Sequence, residues 1–188
     1  MIRSEVLETL VPVIDGRLVV CNIGLPSQEL HQIHDQPSNF YMLGTMGLAA
    51  SIGLGVALAQ SAPVIAIEGD GAVLSSLGTL ATMANNPADN FVLLIIDNGS
   101  YGSTGDQPTY AAGKTSLAAV ARACGCEHVV ECAAEATAGV LREALGSGRM
   151  SVIVSKCEPG NIPVGVIETS PVVIRERFMA AAAGRQTS

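Results

Sequence analysis

Short apolar runs alternate along this chain with segments whose apolar residues recur at helical spacing. Each apolar run has the length of a buried strand and is bounded by glycine, proline or polar residues. The predicted strands are Leu18–Ile23, Asn39–Leu43, Pro63–Glu68, Phe91–Ile96, His128–Glu131 and Ser151–Cys157. The predicted helices are Glu5–Val13, Gln28–His34 with Ser27 as its N-cap, Met46–Gln60, Leu74–Asn85, Ser116–Cys124, Ala134–Leu145 and Val172–Ala183. This alternation predicts an α/β fold, a single doubly wound domain over residues 1–188 whose mostly parallel sheet is flanked by helices.

Two of the predicted strands end in residues that carry oxygen ligands. The strand Pro63–Glu68 is followed by Gly69-Asp70-Gly71, and the strand Phe91–Ile96 is followed by Asp97-Asn98-Gly99-Ser100-Tyr101. In an open parallel sheet, ligands bind outside the carboxyl ends of the strands, so we expect both segments to meet at one edge. Carboxylate, carboxamide and carbonyl oxygens suit Mg²⁺ or Ca²⁺. Taken alone, however, Gly69-Asp70-Gly71 is more typical of an ordinary turn.

Composition and charge narrow the range of partners. The 188 residues are 48% hydrophobic, which is enough for a sizeable core. The net charge of −7 and the pI of about 4.8 argue against nucleic acid or an anionic membrane as a partner, and the longest apolar stretches are too short or too interrupted to span a bilayer. No Lys or Arg occurs between Arg17 and Lys114. An anion bound within that stretch would therefore need a metal, helix N-termini or another chain to balance its charge.

Several other kinds of site are not favoured by the sequence. The five cysteines form no C-x-x-C pair, which argues against zinc or an iron–sulfur cluster and, without a signal peptide, predicts a cytoplasmic location. His31 and His34 lie on a predicted surface helix and His128 begins a predicted strand, so none is chosen as an acid–base residue. No G-x-G-x-x-G follows a strand, so a nicotinamide or flavin site is not favoured.

The polar loop Gly99–Gly113 is typical of a segment that closes over a ligand.

The order Gly69-Asp70-Gly71 followed by Asp97-Asn98 resembles the signature of thiamine diphosphate-dependent enzymes. The resemblance implies that Asp70, Asn98 and the backbone carbonyl of Ser100 hold Mg²⁺, which in turn binds the diphosphate of the cofactor. Because no Lys or Arg lies nearby, the metal and a helix beginning near Ala72 would supply the positive potential.

The upstream turn Gly44-Thr45-Met46-Gly47 also resembles a cofactor-binding element of that family. In the resemblance, Met46 is the apolar wedge between the two rings of the cofactor, and the Gly44 carbonyl accepts a hydrogen bond from the amino group of its pyrimidine. Without the paired motif, Met46 would be interpreted as a core residue. The complete set of cofactor contacts that the resemblance implies is Gly44, Thr45, Met46, Gly69, Asp70, Gly71, Ala72, Asn98, Ser100 and Tyr101.

From about Leu18 to Val154, the chain resembles the β subunits of sulfopyruvate decarboxylases, with phosphonopyruvate decarboxylases as close relatives. The segments that carry this resemblance are Cys21–Ser27, Asn39–Gly47, Gly69–Gly71 and Asp97–Thr109. One departure is Asp106, which stands where the family pattern has Gly or Asn and adds a negative charge to the polar loop.

The resemblance implies a β subunit of an enzyme that decarboxylates 3-sulfopyruvate to sulfoacetaldehyde and CO₂, a step of coenzyme M biosynthesis. In the family, the glutamate that activates the cofactor belongs to a separate pyrimidine-binding domain. No catalytic residue is therefore assigned to this chain, and the glutamate is expected on an α subunit in a hetero-oligomer. The anionic 2-oxoacid substrate would meet cations on that partner or at Lys114.

Three alternatives stay open. The substrate could be phosphonopyruvate or another 2-oxoacid, because the motifs do not separate sulfonate from phosphonate. A subunit of a split 2-oxoacid oxidoreductase is disfavoured, since no cysteine cluster is present to pass electrons. The remaining alternative is a structural or regulatory subunit of the same fold that binds no cofactor.

Overall fold

The computed structural model describes residues 1–184, so the last four residues of the predicted 1–188 domain lie outside the described part. The strands are β1 Leu18–Cys21, β2 Asn39–Tyr41, β3 Val64–Gly69, β4 Phe91–Asp97, β5 Ser100–Tyr101, β6 Gln107–Pro108, β7 His128–Ala133 and β8 Ser151–Lys156. The helices are α1 Arg3–Ile14, α2 Leu25–Ile33, α3 Ala49–Leu58, α4 Asp70–Ser75, α5 Gly78–Asn85, α6 Leu117–Ala123, α7 Thr137–Gly146 and α8 Pro171–Ala183.

Six strands form one parallel sheet in the order β2-β1-β3-β4-β8-β7, and β5 and β6 form a separate antiparallel pair. The parallel sheet confirms the predicted fold class. The chain moves from β1 outward to β2 and then returns to add β3 on the other side of β1. Ligands of doubly wound sheets bind at such a reversal, so the carboxyl ends of β1 and β3 mark the expected position of a site.

Both faces of the sheet are buried at its central strands, which explains why these strands are continuously apolar. Along β3, Val64 and Ala66 pack into a core with α3, α5 and α6, whereas Ile65 and Ile67 pack into a second core with α1, α2 and α7. Helix α8 closes the β2 edge, where the rings of Phe40 and Phe178 meet edge-on at 5.5 Å between centroids. Each large apolar side chain buried in this way contributes roughly 1.5–3 kcal/mol.

Two predicted helices differ from the observed ones next to the candidate site. The helix predicted from Met46 begins only at Ala49, because Thr45 and Gly47 have positive φ angles of 63° and 86° that a right-handed helix excludes. Met46 therefore lies in a loop. The helix predicted as Leu74–Asn85 is two helices, α4 and α5, and α4 starts already at Asp70.

The prediction of Ser27 as an N-cap is wrong. Helix α2 begins at Leu25, and its N-cap is Gly24, whose φ is 75°. The Ser27 hydroxyl instead donates to the backbone carbonyls of Cys21 and Asn22, at 3.2 and 2.6 Å. The serine thus fixes the turn after β1.

The five cysteines are free thiols, and within residues 1–184 no helix is both long and apolar enough to cross a membrane.

Candidate active site

A cavity of about 180 Å³ opens at the carboxyl ends of β1, β3 and β4. Its walls include eight of the ten residues predicted to contact a cofactor: Met46, Gly69, Asp70, Gly71, Ala72, Asn98, Ser100 and Tyr101. Gly44 and Thr45 are not among its lining residues. They line a second cavity of about 190 Å³ between the end of β2 and the start of α8.

Asp70 is the first residue of α4 and is 1% exposed. The hydroxyl of Thr109 donates a hydrogen bond to its Oδ2. Burial raises the pKa of Asp70, the bond from Thr109 opposes that rise, and the negative charge of Asp97 adds to it. A divalent cation at this carboxylate would favour the ionised form and offset the cost of its burial.

Asn98 follows β4, and its position is fixed by a local turn. Its Oδ1 accepts a hydrogen bond from the backbone N–H of Ser100 at 3.1 Å. This bond holds the carboxamide at the start of β5, and Asn98 lines the same cavity as Asp70. The two strand ends meet as the sequence predicted, because β3 and β4 are neighbours and Gly69 pairs with Ile96.

Asp97 is also buried at 3% exposure, but its charge is balanced. It pairs with Lys156, its direct neighbour on β8, and its Oδ1 accepts from the backbone N–H of Gly99 at 3.3 Å. Among the lining residues that the structure describes, Asp70 is the one carboxylate. Any metal here would be held by this carboxylate together with amide and carbonyl oxygens, because residues 1–184 contain no cluster of three or more His, Cys, Asp or Glu suited to a metal.

The position of the Tyr101 ring requires a glycine at residue 71. A Cβ added at Gly71 would lie 2.2 Å from Cε1 of Tyr101, closer than two atoms can approach without bonding. The ring therefore packs directly on the backbone at the start of α4 and forms one wall of the cavity.

Met46 is 43% exposed and lines the same cavity. The loop that carries it lies directly against α4, since a Cβ at Gly47 would be 2.5 Å from the carbonyl oxygen of Ala72. At its other end, the loop joins α3, where the backbone N–H of Ala50 donates to Oε1 of Glu68 at 3.1 Å. Glu68 is 1% exposed, and burial raises its pKa to about 7.

Sequence reasoning missed Arg3, Asn22 and Gly24, which also line the cavity. Asn22 and Gly24 follow β1, so the reversal of strand order between β1 and β3 was the signal that would have found them. Arg3 arrives from α1, and no local pattern indicates it. Lys114, expected as a cation for the substrate, is exposed and is not among the lining residues.

Asp106 has a φ of 57°, the left-handed conformation that Gly and Asn adopt most readily. This conformation accounts for the expectation of Gly or Asn at this position, and Asp is among the other residues enriched in it. Its Oδ1 accepts a hydrogen bond from the hydroxyl of Ser100 at 3.1 Å, so the added carboxylate joins the two arms of the β5–β6 loop.

None of the three histidines lines the cavity. His31 packs edge-on against Tyr41 at 5.3 Å between ring centroids, His34 lies 3.2 Å from a carboxylate oxygen of Asp15, and His128 contacts Arg149 at 3.0 Å on another part of the surface.

Comparison with solved structures supports the fold. The chain superimposes with a TM-score of 0.71 on a 2-oxoglutarate:ferredoxin oxidoreductase from Magnetococcus marinus, at 18% identity over 89% of this chain and 64% of that one. It superimposes with a TM-score of 0.68 on the benzoylformate decarboxylase from Polynucleobacter necessarius, at 19% identity over 86% of this chain and 34% of that one.

Comparison at the sequence level is more specific. The sulfopyruvate decarboxylase subunit beta of Methanococcus maripaludis is 44% identical over 95% of this chain and 96% of its own length. The sulfopyruvate decarboxylase of Methanosarcina acetivorans is 36% identical over 95% of this chain but only 46% of its own length. The phosphonopyruvate decarboxylase of Streptomyces viridochromogenes is 38% identical over 86% of this chain and 41% of its own. Residues 22–155 match the thiamine pyrophosphate enzyme C-terminal TPP-binding domain. The chain belongs to the thiamine pyrophosphate enzymes and, within them, to the family of sulfopyruvate decarboxylase β subunits.

Proposed function

We propose that this chain is the cofactor-binding half of a decarboxylase that converts 3-sulfopyruvate to sulfoacetaldehyde and CO₂. The observation that carries the proposal is the single cavity in which Met46, Asp70 and Asn98 meet although they come from three separate segments. When bound, thiamine diphosphate supplies the electron sink that a 2-oxoacid needs to lose CO₂. Residues 1–188 act in this proposal as one thiamine diphosphate-binding domain in the cytoplasm.

The residues present fit a diphosphate held through Mg²⁺. Asp70 provides one ionisable oxygen ligand, and Asn98 with the backbone carbonyl of Ser100 would complete the protein's share of the oxygen shell. Gly69, Gly71 and Ala72 keep the wall free of bulky side chains, and Tyr101 packs over Gly71. Met46 would provide an apolar surface for the rings of the cofactor, and Gly44 and Thr45 lie on the same loop.

The charges of the site explain why a metal is needed. The negative charge of Asp97 is balanced by Lys156, and that of the buried Glu29 is balanced by Arg3. Asp70 is therefore the uncompensated charge of the described cavity wall, and it would repel a diphosphate. A divalent cation bound to Asp70 reverses the sign of the local charge and allows the anion to bind.

An α subunit would complete the active site. The Methanococcus maripaludis relative is named a subunit beta and matches this chain over nearly its full length, whereas the Methanosarcina acetivorans relative is about twice as long. This difference supports a two-chain enzyme whose other half is supplied by a second polypeptide. That partner would carry the activating glutamate and cations for the anionic substrate, so this chain alone should not release CO₂.

A second candidate substrate is 3-phosphonopyruvate, because a phosphonopyruvate decarboxylase is 38% identical to this chain. Relative turnover of the two acids by the assembled enzyme decides between them. The alternative from another class, a subunit that binds no cofactor, predicts no uptake of thiamine diphosphate.

The test is calorimetry of the assembled αβ complex with thiamine diphosphate and Mg²⁺, followed by CO₂ release from each acid. We expect binding that requires Mg²⁺ and is abolished or greatly weakened in Asp70→Ala and Asn98→Ala. Binding unaffected by either substitution would refute the assigned metal site. Substantial CO₂ release by the pure chain would refute the division of the active site between two chains.

A further inference from the structure

Arg3 is a buried cation on the wall of the candidate cofactor cavity. It is 6% exposed. Among the described residues that line the cavity, no other is a Lys or an Arg. Its Nε donates to Oε2 of Glu29 at 2.7 Å, and its Nη2 donates to Oε1 of Glu29 at 2.8 Å. Glu29 is completely buried, so this two-pronged pair fixes the plane of the guanidinium.

A third bond aligns Arg3 with the polar loop over the cavity. Nη2 of Arg3 also donates to Oδ1 of Asn161 at 2.9 Å, and Nδ2 of Asn161 donates to the carbonyl of Gly102 at 3.1 Å. Asn161 packs so closely on Gly102 that a Cβ at residue 102 would lie 2.6 Å from Oδ1 of Asn161. Arg3 is therefore held rigidly between α1, α2, the segment after β8 and the polar loop.

One nitrogen of this rigid group is left for a ligand. The three bonds above use the Nε and Nη2 hydrogens of Arg3, and Nη1 donates to no group among the described residues. Although Nη1 has no partner among the described residues, it is not sealed from solvent. Two N–H groups of a fixed guanidinium are thus available on a residue that lines the cavity.

Arg3 and the proposed metal ligand Asp70 line the same cavity of about 180 Å³. In so small a space, an anion bound to a metal at Asp70 would also lie near the guanidinium of Arg3.

We infer that the guanidinium of Arg3 contacts a phosphate oxygen of the cofactor diphosphate, an inference that rests on the proposed function for the identity of the ligand. Guanidinium N–H groups form short, strong bonds to phosphate oxygens, and a preorganised guanidinium loses little entropy in doing so. Glu29 has two opposing effects, because it orients Arg3 and also neutralises part of its charge. Glu29→Gln removes the negative charge and keeps one of the two acceptor oxygens that hold Arg3, so we expect the fuller positive charge of Arg3 to tighten anion binding.

The test compares wild type and three variants of the assembled αβ complex by calorimetry with two probes, thiamine diphosphate with Mg²⁺ and inorganic pyrophosphate with Mg²⁺. The double variant Arg3→Gln with Glu29→Gln removes both charges without leaving a buried ion unpaired, and we expect it to bind both probes about tenfold more weakly. The single variant Glu29→Gln keeps Arg3 and should bind both probes a few-fold more tightly. The matched control is Arg177→Gln with Asp35→Asn, an Arg–carboxylate pair with both bonds at 3.0 Å that does not line the cavity, and it should bind like wild type.

Each possible outcome either supports the contact between Arg3 and the diphosphate or overturns it. If the charge-free double variant folds and binds both probes like wild type, Arg3 does not contact the diphosphate. If Glu29→Gln fails to tighten the binding of either probe, the charge of Glu29 does not act through Arg3 on the bound anion and the inference is overturned, a test that remains available should the double variant fail to fold. A change confined to the KM for the 2-oxoacid would place Arg3 on the substrate and overturn the diphosphate contact. Wild type that binds neither probe overturns the proposed function as well, whereas normal wild-type binding with no effect of the variants overturns this inference alone.

Discussion

The hydroxyl of Thr109 donates a hydrogen bond to the carboxylate of Asp70, although 39 residues separate the two along the chain. Both residues are buried, at 4% and 1% exposure. The backbone N–H of Thr109 also donates to the carbonyl of Gly99 at 2.9 Å. The polar loop therefore leaves the sheet edge at the end of β4 and returns to the carboxylate proposed to bind the metal.

Removal of this hydroxyl should destabilise the chain. Thr109→Val leaves the buried carboxylate without its donor, and we expect the free energy of unfolding to fall by about 1–3 kcal/mol. Thr109→Ser keeps the hydroxyl and should lose about 1 kcal/mol or less, for its missing methyl group. Urea denaturation of the metal-free chain measures both. A valine variant as stable as wild type would show that the bond contributes nothing.

The two glycines around Asp70 should respond differently to alanine. At Gly71 the new Cβ would collide with the ring of Tyr101 at 2.2 Å, whereas at Gly69 its nearest neighbour would be Nδ2 of Asn22 at 3.7 Å, an ordinary contact. We expect Gly71→Ala to lower the free energy of unfolding by about 1–3 kcal/mol and to displace Tyr101. Gly69→Ala should change it by less than about 1 kcal/mol. Equal losses in the two variants would contradict the packing of Tyr101 on Gly71.

The loop that carries Met46 contains local strain at Thr45. A β-branched residue at a φ of 63° is costly, by about 1–3 kcal/mol. Because Asn adopts this conformation more readily, Thr45→Asn should raise the free energy of unfolding by about 0.5–1 kcal/mol. Thr45→Val, which keeps the branched shape, serves as the control and should give no gain. If valine stabilises as much as asparagine, the backbone angle is not the cause.

Glu68 should make stability depend on pH. Its folded pKa of about 7 lies above its ordinary value of 4.5, because burial disfavours the charged form. The folded chain therefore binds the proton more tightly than the unfolded chain, and this stabilisation is complete below about pH 4.5 and is lost as the pH rises through about 7. The loss corresponds to about 3 kcal/mol.

Glu68→Gln keeps an acceptor for the N–H of Ala50 and removes the titration. Relative to wild type, the variant of the metal-free chain should therefore become more stable as the pH rises from 4.5 to 8.5. Urea denaturation at several pH values measures the difference between the two proteins. A constant difference across this range would show that Glu68 does not titrate with a raised pKa.

Much of the fold followed from local patterns. The apolar runs predicted all six strands of the parallel sheet, and for the central strands β3 and β4 the reason is that strands buried on both faces are continuously apolar. The pairing of Gly69-Asp70-Gly71 with Asp97-Asn98 also placed the two strand ends together, since β3 and β4 are consecutive neighbours joined by a short helical crossover. The local patterns predicted the ends of the helices less accurately. Met46, for example, was predicted to begin a helix but lies in a loop, and the conformation of that loop depends on the close contact between Gly47 and α4.

The sequence by itself thus determined the α/β class, the two strand ends and their oxygen ligands, because strand periodicity and turn composition are local properties of the chain. Only the tertiary structure decided that Arg3, Asn22 and Thr109 join those ligands. Asn22 reaches the cavity because β1 pairs with β3, and Arg3 reaches it because α1 packs on the face of the sheet next to α2. Such placements depend on long-range burial and strand pairing, which no local pattern of residues encodes.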